Sequence, residues 1–541
     1  MRDRSPAWLA AAAVALGLGA AGCPGGSDGK AEGEPCSSAS ECGGSLVCFE
    51  RACARGAPPS PSCSPPGAPT ITYEGEIVAV EPAPGACVTT VRAPVPTGDY
   101  LDLGEHPVGT ELSFALPPGT ASFTILMQEV GDSAEATIEF KGFTLANGVV
   151  PTDVRDPSGA IFFSDTDPYP RDGPYFDVTG VLAYSLSAQP VAGTFTVPNT
   201  TAGLDLARSA GELPAGTWSF LVNDWARECA LIPGSCLVGG KVGTYRVHVF
   251  LRRARFASTG TLDLEVYLAT GATSALPNGA AAAANPQVVR WIQSIGAVFA
   301  KAGVCIGNVR LYDLPSWAKV RYAPGGVVDI SGAGLGLSPA ETPPGCDDLS
   351  QLFTVGVAQR RSVHLFVADE LLDAFFTGRL VLGVDGSIPG PSGAPGTVSG
   401  GAVFGLFDLL GAETFPGACS GAGPRFSSCG TDMLAYVAAH EAGHWLGLYH
   451  TSEFTGDLFD PLTDTARCPC IQCAPFSQRA RCAEVSPGGP LTQVTNAMCS
   501  GSYARCGGGR NLMFWLFDDT FANADVSPQQ AEVMRLNAAV Q

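Results

Sequence analysis

Between Thr70 and Arg255, apolar residues recur at every second position in short runs: ASFTILMQEV, ATIEFKGFTL, GTWSFLVNDW and GTYRVHVFLRR, separated by Gly, Pro, Asn and Asp. Alternation with period two buries one face of a strand and exposes the other, so this stretch predicts an all-β sandwich or jelly roll. Past Ser258 the pattern changes. LDLEVYLA, NVRLYDL and SVHLFVADEL read as strands, and between the first two lies NPQVVRWIQSIGAVFAKAG, with Val288, Val289, Ile292, Ile295, Val298 and Phe299 at three- and four-residue steps. That spacing makes one apolar helix face, and strands alternating with helices predict an α/β or α+β domain. A Gly/Pro/Ser-rich loop from Gly383 to Gly401 leads into the apolar strand AVFGLFDLL. Met433 to Leu446 lacks Pro and is rich in helix formers, and SPQQAEVMRLNAAV supplies a final helix.

The N-terminal pattern is different again. Arg2 and Arg4 precede an apolar stretch from Ala7 to Ala21, too short to span a bilayer, as in a secretory signal peptide. Its end, Ala20-Ala21-Gly22-Cys23, resembles the lipobox of bacterial lipoproteins, with Ala20 where Leu is usual. The resemblance implies that Cys23 is acylated and anchors the chain to a membrane. A flexible polar tether runs to Glu34, and Cys36, Cys42, Cys48 and Cys53 follow in a segment too small to fold without crosslinks. RGAPPSPSCSPPGAP is a semi-rigid spacer. The expected division is a signal at 1–22, tether and disulfide-rich segment with Pro-rich linker at 23–69, β-sandwich at 70–257, and an α/β domain at 258–541.

Composition narrows the partners. The chain of 541 residues carries a formal charge of -20, which leaves no basic surface for nucleic acid. Nineteen cysteines behind a signal peptide suggest disulfides, eighteen of them once Cys23 is set aside. Neighbours in sequence suggest Cys63 with Cys87, Cys229 with Cys236, Cys305 with Cys346, and Cys419 with Cys429. The close cysteines of CPCIQC could chelate a metal, but oxidation outside the cytoplasm favours disulfides there too.

Half of the six histidines fall within HEAGHWLGLYH. On a helix, His440 and His444 lie one turn apart on one face and can reach one zinc ion, with Glu441 beside the metal where it can polarise a water. A continuing helix would carry His450 away, so the chain must turn, and Gly447 tolerates the positive φ of such a turn. Three neutral nitrogens leave a fourth tetrahedral position open, as catalytic zinc requires. His106, His248 and His364 sit in a loop and in strand patterns and are read as packing residues.

HExxHxxGxxH resembles the signature of the metzincin zinc peptidases, which also carry a Met-bearing turn beneath the metal. Met513 in RNLMFW matches that family's Asn-x-Met form and precedes the final helix; Met498 is the alternative. HEAGHWLGLYHTSE, the DPLTDTARC segment with Asp464-Thr465, the following cysteines and NLM are similar to the pappalysin family over about Ser258 to Gln541. The resemblance implies a metzincin-like fold and zinc-dependent hydrolysis of peptide bonds, with Glu441 as general base and then acid. Where the family often has Tyr two residues after the Met, this chain has Trp515. Some pappalysins hold calcium near the region of Glu453, Asp457, Asp460 and Asp464; a solvated acidic loop is the equal alternative. The leading expectation is an exported, lipid-anchored zinc endopeptidase acting on protein or peptide substrates at the periplasmic or outer face. Its rival is a surface binding or adhesion lipoprotein with a latent or structural metal site.

Overall fold

The computed structural model describes two paired strands within 46–55 and most of the chain from residue 69 onward; the principal exceptions are 89–99, 131–137, 164–191, 225–243, 373–380, 387–395, 407–418, 486–491, 501–505 and 518–523. The signal segment, Cys23, the tether, the disulfides of the small N-terminal segment and the Cys229–Cys236 pairing fall outside the described residues. The protein is mixed α/β, with several separate sheets. No helix among the described residues is long and apolar enough to cross a membrane.

Two four-stranded antiparallel sheets arise where period-two alternation dominates. One orders Ile161–Phe163, Val149–Arg155, Gly216–Asp224 and Glu111–Leu116; the other orders Ala192–Val197, Ser122–Glu129, Thr244–Arg252 and Tyr100–Pro107. Leu112, Phe114 and Leu116 turn inward from one sheet and meet Phe123, Ile125 and Met127 of the other in a single core. Phe123 packs edge-on against Trp218, with ring centroids 5.1 Å apart. Between strands lies a helix that the alternation did not announce, α1 (Thr201–Ala210), capped by the Thr200 hydroxyl and ended by Gly211 at φ 75°.

The second unit is built on a six-stranded sheet in the order Gly383–Asp385, Ala402–Gly405, Ser362–Ala368, Gly260–Leu268, Val304–Asp313, Ile71–Glu76. All neighbours are parallel except the edge strand Gly383–Asp385, which runs antiparallel. Ile71–Glu76 corrects the expected boundary at Thr70, because it belongs to this sheet and not to the sandwich region. Its residues show no alternation of buried and exposed positions, so nothing local marked it as separate from the runs that follow.

Helix α2 (Pro286–Ala300) has Asn285 as its cap and Pro at its first turn, and it buries Val288, Ile292, Ile295, Val298 and Phe299 as the periodicity required. Beside it runs α3 (Gly430–Trp445), buried on nearly every side and therefore without a polar stripe. Asp432, at 0% exposure, binds the two helices together: Arg290 donates to both of its oxygens at 3.0 and 2.7 Å, and Ser294 at 2.6 Å. The final helix, α4 (Pro528–Leu536), opens with a Ser527–Gln530 capping box. Asp464 reinforces it by accepting from Ser527 Oγ and Gln529 N.

Disulfides join Cys87–Cys346, Cys419–Cys429, Cys468–Cys499, Cys470–Cys482 and Cys473–Cys506. Cys419–Cys429 is as expected. The Cys63–Cys87 and Cys305–Cys346 pairings are overturned, since Cys87 reaches across 259 positions to Cys346 and Cys305 is bonded elsewhere. The reason is topological: the chain stays on this unit through Val88, whose backbone N and O pair with the Gln351 side chain, and only then departs, to return near Ser258, so cysteines far apart in sequence meet. The CPCIQC cysteines are all oxidised, so the converging sulfurs of Cys468, Cys473 and Cys506 are not thiolate ligands.

Candidate metal centre

Helix α3 carries His440 and His444 to its C-terminal end, where Gly447 at φ 99° breaks it. Gly447 N donates to His444 O at 2.8 Å and Leu448 N to Gly443 O at 3.0 Å, closing the helix so that the chain doubles back and brings His450 to the other two. One ring nitrogen from each of the three lies within 4.8 Å of the others, a grouping that could hold a metal ion, and His444 Nε2 stands 3.1 Å from His450 Nε2.

Each ring is oriented through its other nitrogen. His440 Nδ1 donates to Leu512 O at 2.6 Å, His444 Nδ1 to Leu448 O at 2.7 Å, and His450 Nδ1 to Glu453 Oε1 at 2.8 Å. With the proton on Nδ1, each Nε2 presents a lone pair to the common centre. Burial holds the His440 pKa down at about 3, with the neighbouring His450 adding to the effect. Burial also takes His444 well below the ordinary value, with help from both other histidines. Both rings are neutral at pH 7. Three converging imidazoles are a donor set that fits zinc.

Glu441 is buried beside them, and desolvation raises its carboxyl to about 8, partly offset by the Asp385 backbone N–H. Over it lies the antiparallel edge strand. A Cβ on Gly383 would stand 2.8 Å from Glu441 Cγ and Oε1, so the strand approaches this closely only because residue 383 has no side chain.

Met513 lies under the helix. Its Sδ would be 2.5 Å from a Cβ on Gly443, the residue between Glu441 and His444 that faces down. Asn511 builds the turn: its Oδ1 accepts from Met513 N at 2.8 Å and its Nδ2 donates to Gln530 Oε1 at 2.8 Å. Thr451 N donates to Met513 O at 2.9 Å, so the same turn supports the segment carrying His450. Met498 instead packs among the cysteines. Trp515 donates its indole N–H to Val494 O at 2.9 Å.

The remaining candidates sort by their contacts. Of the acidic group, Glu453 orients His450, Asp464 caps α4, and Asp460 accepts from Thr465 Oγ1 at 2.5 Å; Asp457 lies outside the described residues. His364 is fully buried, 3.2 Å from Tyr267 Oη, and stacks on Trp445. His248 pairs with Tyr100 Oη at 2.5 Å, and His106 Nε2 lies 2.7 Å from Leu103 O; neither belongs to the cluster. The roles of Gly383, Gly443 and Asn199 were missed in the sequence: Gly443 lies inside the motif and the other two far from it, but none carries a mark of the distant residue it will touch.

No family model matches the chain, and no curated protein does. Among solved structures, a family two carbohydrate esterase from Cellvibrio japonicus shows 9% identity over 51% of this chain and 80% of that one, with a TM-score of 0.10. A likeness of that strength carries no argument about fold or function.

Proposed function

We propose that the protein is a zinc-dependent endopeptidase of metzincin, pappalysin-like type, with a jelly-roll-like β-sandwich joined to its catalytic domain. The convergence of His440, His444 and His450 beside a buried glutamate carries this reading. Zinc held by the three Nε2 atoms would supply Lewis acidity for the scissile carbonyl and acidify a water in its open position. Glu441 takes the proton from the attacking water and returns it to the departing amine. Zinc beside Glu441 would favour its ionised form, which is the form that accepts the proton of the water. The antiparallel strand Gly383–Asp385 runs over Glu441, and an extended peptide lying alongside it would meet the carboxylate.

The disulfides support a reading in which the protein works in an oxidising compartment. With the signal-like N-terminus, they support export and anchoring through acylated Cys23. Hydrolysis of an unfolded protein substrate, abolished by a zinc chelator and restored by stoichiometric zinc, is the expected behaviour; hydrolysis that persists in a metal-free preparation overturns the assignment. Cys23→Ser is expected to release the protein from the membrane fraction.

A further inference from the structure

The two-sheet unit touches the helix exit that forms the metal centre. Asn199, at 1% exposure, donates its Nδ2–H to Gly447 O at 2.7 Å. The space where a Cβ of Gly447 would stand is lined by Thr196 Oγ1 at 3.4 Å and Val533 Cγ1 at 3.3 Å. The chain is fixed on both sides of Asn199. On one side Thr196, within the strand that ends at Val197, pairs with Thr124 Oγ1 at 2.9 Å. Thr200 caps α1, and Thr201 donates to Gln529 Oε1 at 2.6 Å and accepts from Thr463 N at 2.9 Å. A second buried route runs from Arg252, which donates to Asn537 O at 3.0 Å, while Asn537 Nδ2 donates to Trp445 O at 3.2 Å. Ala121 and Leu204 of the two-sheet unit join the hydrophobic core that also contains Trp445, Leu446 and Met513.

The Trp445–His450 segment performs two tasks for the metal. Leu448 O, one residue past Gly447, orients the His444 ring, and the same turn delivers His450. A shift of the Gly447 peptide therefore moves both ligands at once. Glycine at this position supplies the turn but not its rigidity, since it is the residue with the most backbone freedom. The rigidity has to come from outside.

We propose that the two-sheet unit is a working part of the metal centre and that Asn199 is its positioning residue, holding the Gly447 peptide so that His444 and His450 meet the ion in a fixed geometry. This rests on the zinc reading of the three histidines. It makes the sandwich more than an accessory module for binding substrate, because it holds the turn on which two of the three histidines depend.

The test is zinc affinity of the full chain, measured by competition with a chromophoric chelator well below each variant's melting temperature. Wild type is compared with His444→Ala, Asn199→Ala and Arg208→Ala. Arg208 bridges α1 to Glu532 across the same interface but is 38% exposed and has no link to Gly447. The expected result is one zinc per chain in wild type, loss in His444→Ala, affinity about tenfold weaker in Asn199→Ala, and no change in Arg208→Ala. The visible spectrum of the cobalt-loaded Asn199→Ala protein is expected to differ from wild type, which a purely stabilising contact would not cause. If Asn199→Ala does not fold, Asn199→Ser, which stays small and polar but cannot reach Gly447 O, serves in its place. Wild-type affinity and spectrum in the Asn199 variants overturn this inference alone. An equal loss in Arg208→Ala overturns the specific role of Asn199. Absence of zinc binding in wild type overturns the function proposed above as well.

Discussion

Met513 Sδ sits against the backbone of Gly443, 2.5 Å from where a Cβ would have to be. The thioether thus packs under the turn of α3 that separates the two helical histidines. Gly443→Ala forces Met513 or the helix to move, and overpacking of this kind typically costs about 1–3 kcal/mol. The expected outcome is a lower melting temperature and weaker zinc binding together, read by thermal unfolding and chelator competition. Met513→Leu, which preserves volume, is expected to keep most of both.

Gly383 makes the converse case. A methyl group there meets Glu441 Oε1 at 2.8 Å and Val437 Cγ1 at 2.9 Å, and its three nearest atoms include none from the histidines. Gly383→Ala is expected to lower kcat by about 100-fold through misplacement of the general base, with zinc stoichiometry unchanged. Peptide hydrolysis measured alongside metal content checks this.

Glu453 holds His450 through its Nδ1–H at 2.8 Å. Loss of such a partner typically weakens metal binding by about 10–100-fold. Glu453→Ala is expected to fall in that range by chelator competition, and Glu453→Gln, whose amide oxygen still accepts the bond, to lie near wild type.

The buried Glu441 gives the metal-free protein a pH signature. Its folded pKa of about 8 lies above the unfolded value of 4.5. Its contribution to stability is therefore fully present below pH 4.5 and lost as pH rises toward 8, where the buried group must ionise. Metal-free Glu441→Gln escapes that cost. It is expected to exceed wild type in stability at pH 8 by up to a few kcal/mol, with the difference vanishing near pH 4.5, as chemical denaturation across that range would read. His440, depressed to about 3, acts in the opposite direction: its contribution is lost as pH falls from about 6.5. Both variants share that loss, so it cancels in the comparison.

What could be read in advance follows from how local each determinant is. His440, Glu441, His444, Gly447 and His450 lie within one helix and its exit, so spacing alone placed them, and Asn511-Leu-Met513 marked its turn by its own short pattern. Helix α2 and the central strands declared themselves through unbroken periodicity. Ile71–Glu76 did not, because an edge strand lacks a buried face to impose alternation, and α1 is too short for its period to stand out among strands. Gly383, Gly443 and Asn199 matter through partners that are 58, 70 and 248 positions away, and no pattern along the chain encodes such pairings. The cysteines fail for the same reason: proximity in sequence found Cys419–Cys429 and misassigned Cys87 and Cys346.

In the proposed reaction Glu441, beside zinc held by three histidines, carries the proton that hydrolysis of a peptide bond requires. The most direct test is mass-spectrometric mapping of cleavage in a mixed peptide library by the zinc-loaded protein and by its Glu441→Ala variant at equal zinc content. The account predicts internal cuts by the wild type that vanish in the variant. Cuts that persist in the variant, or their absence from both zinc-loaded proteins, would contradict it.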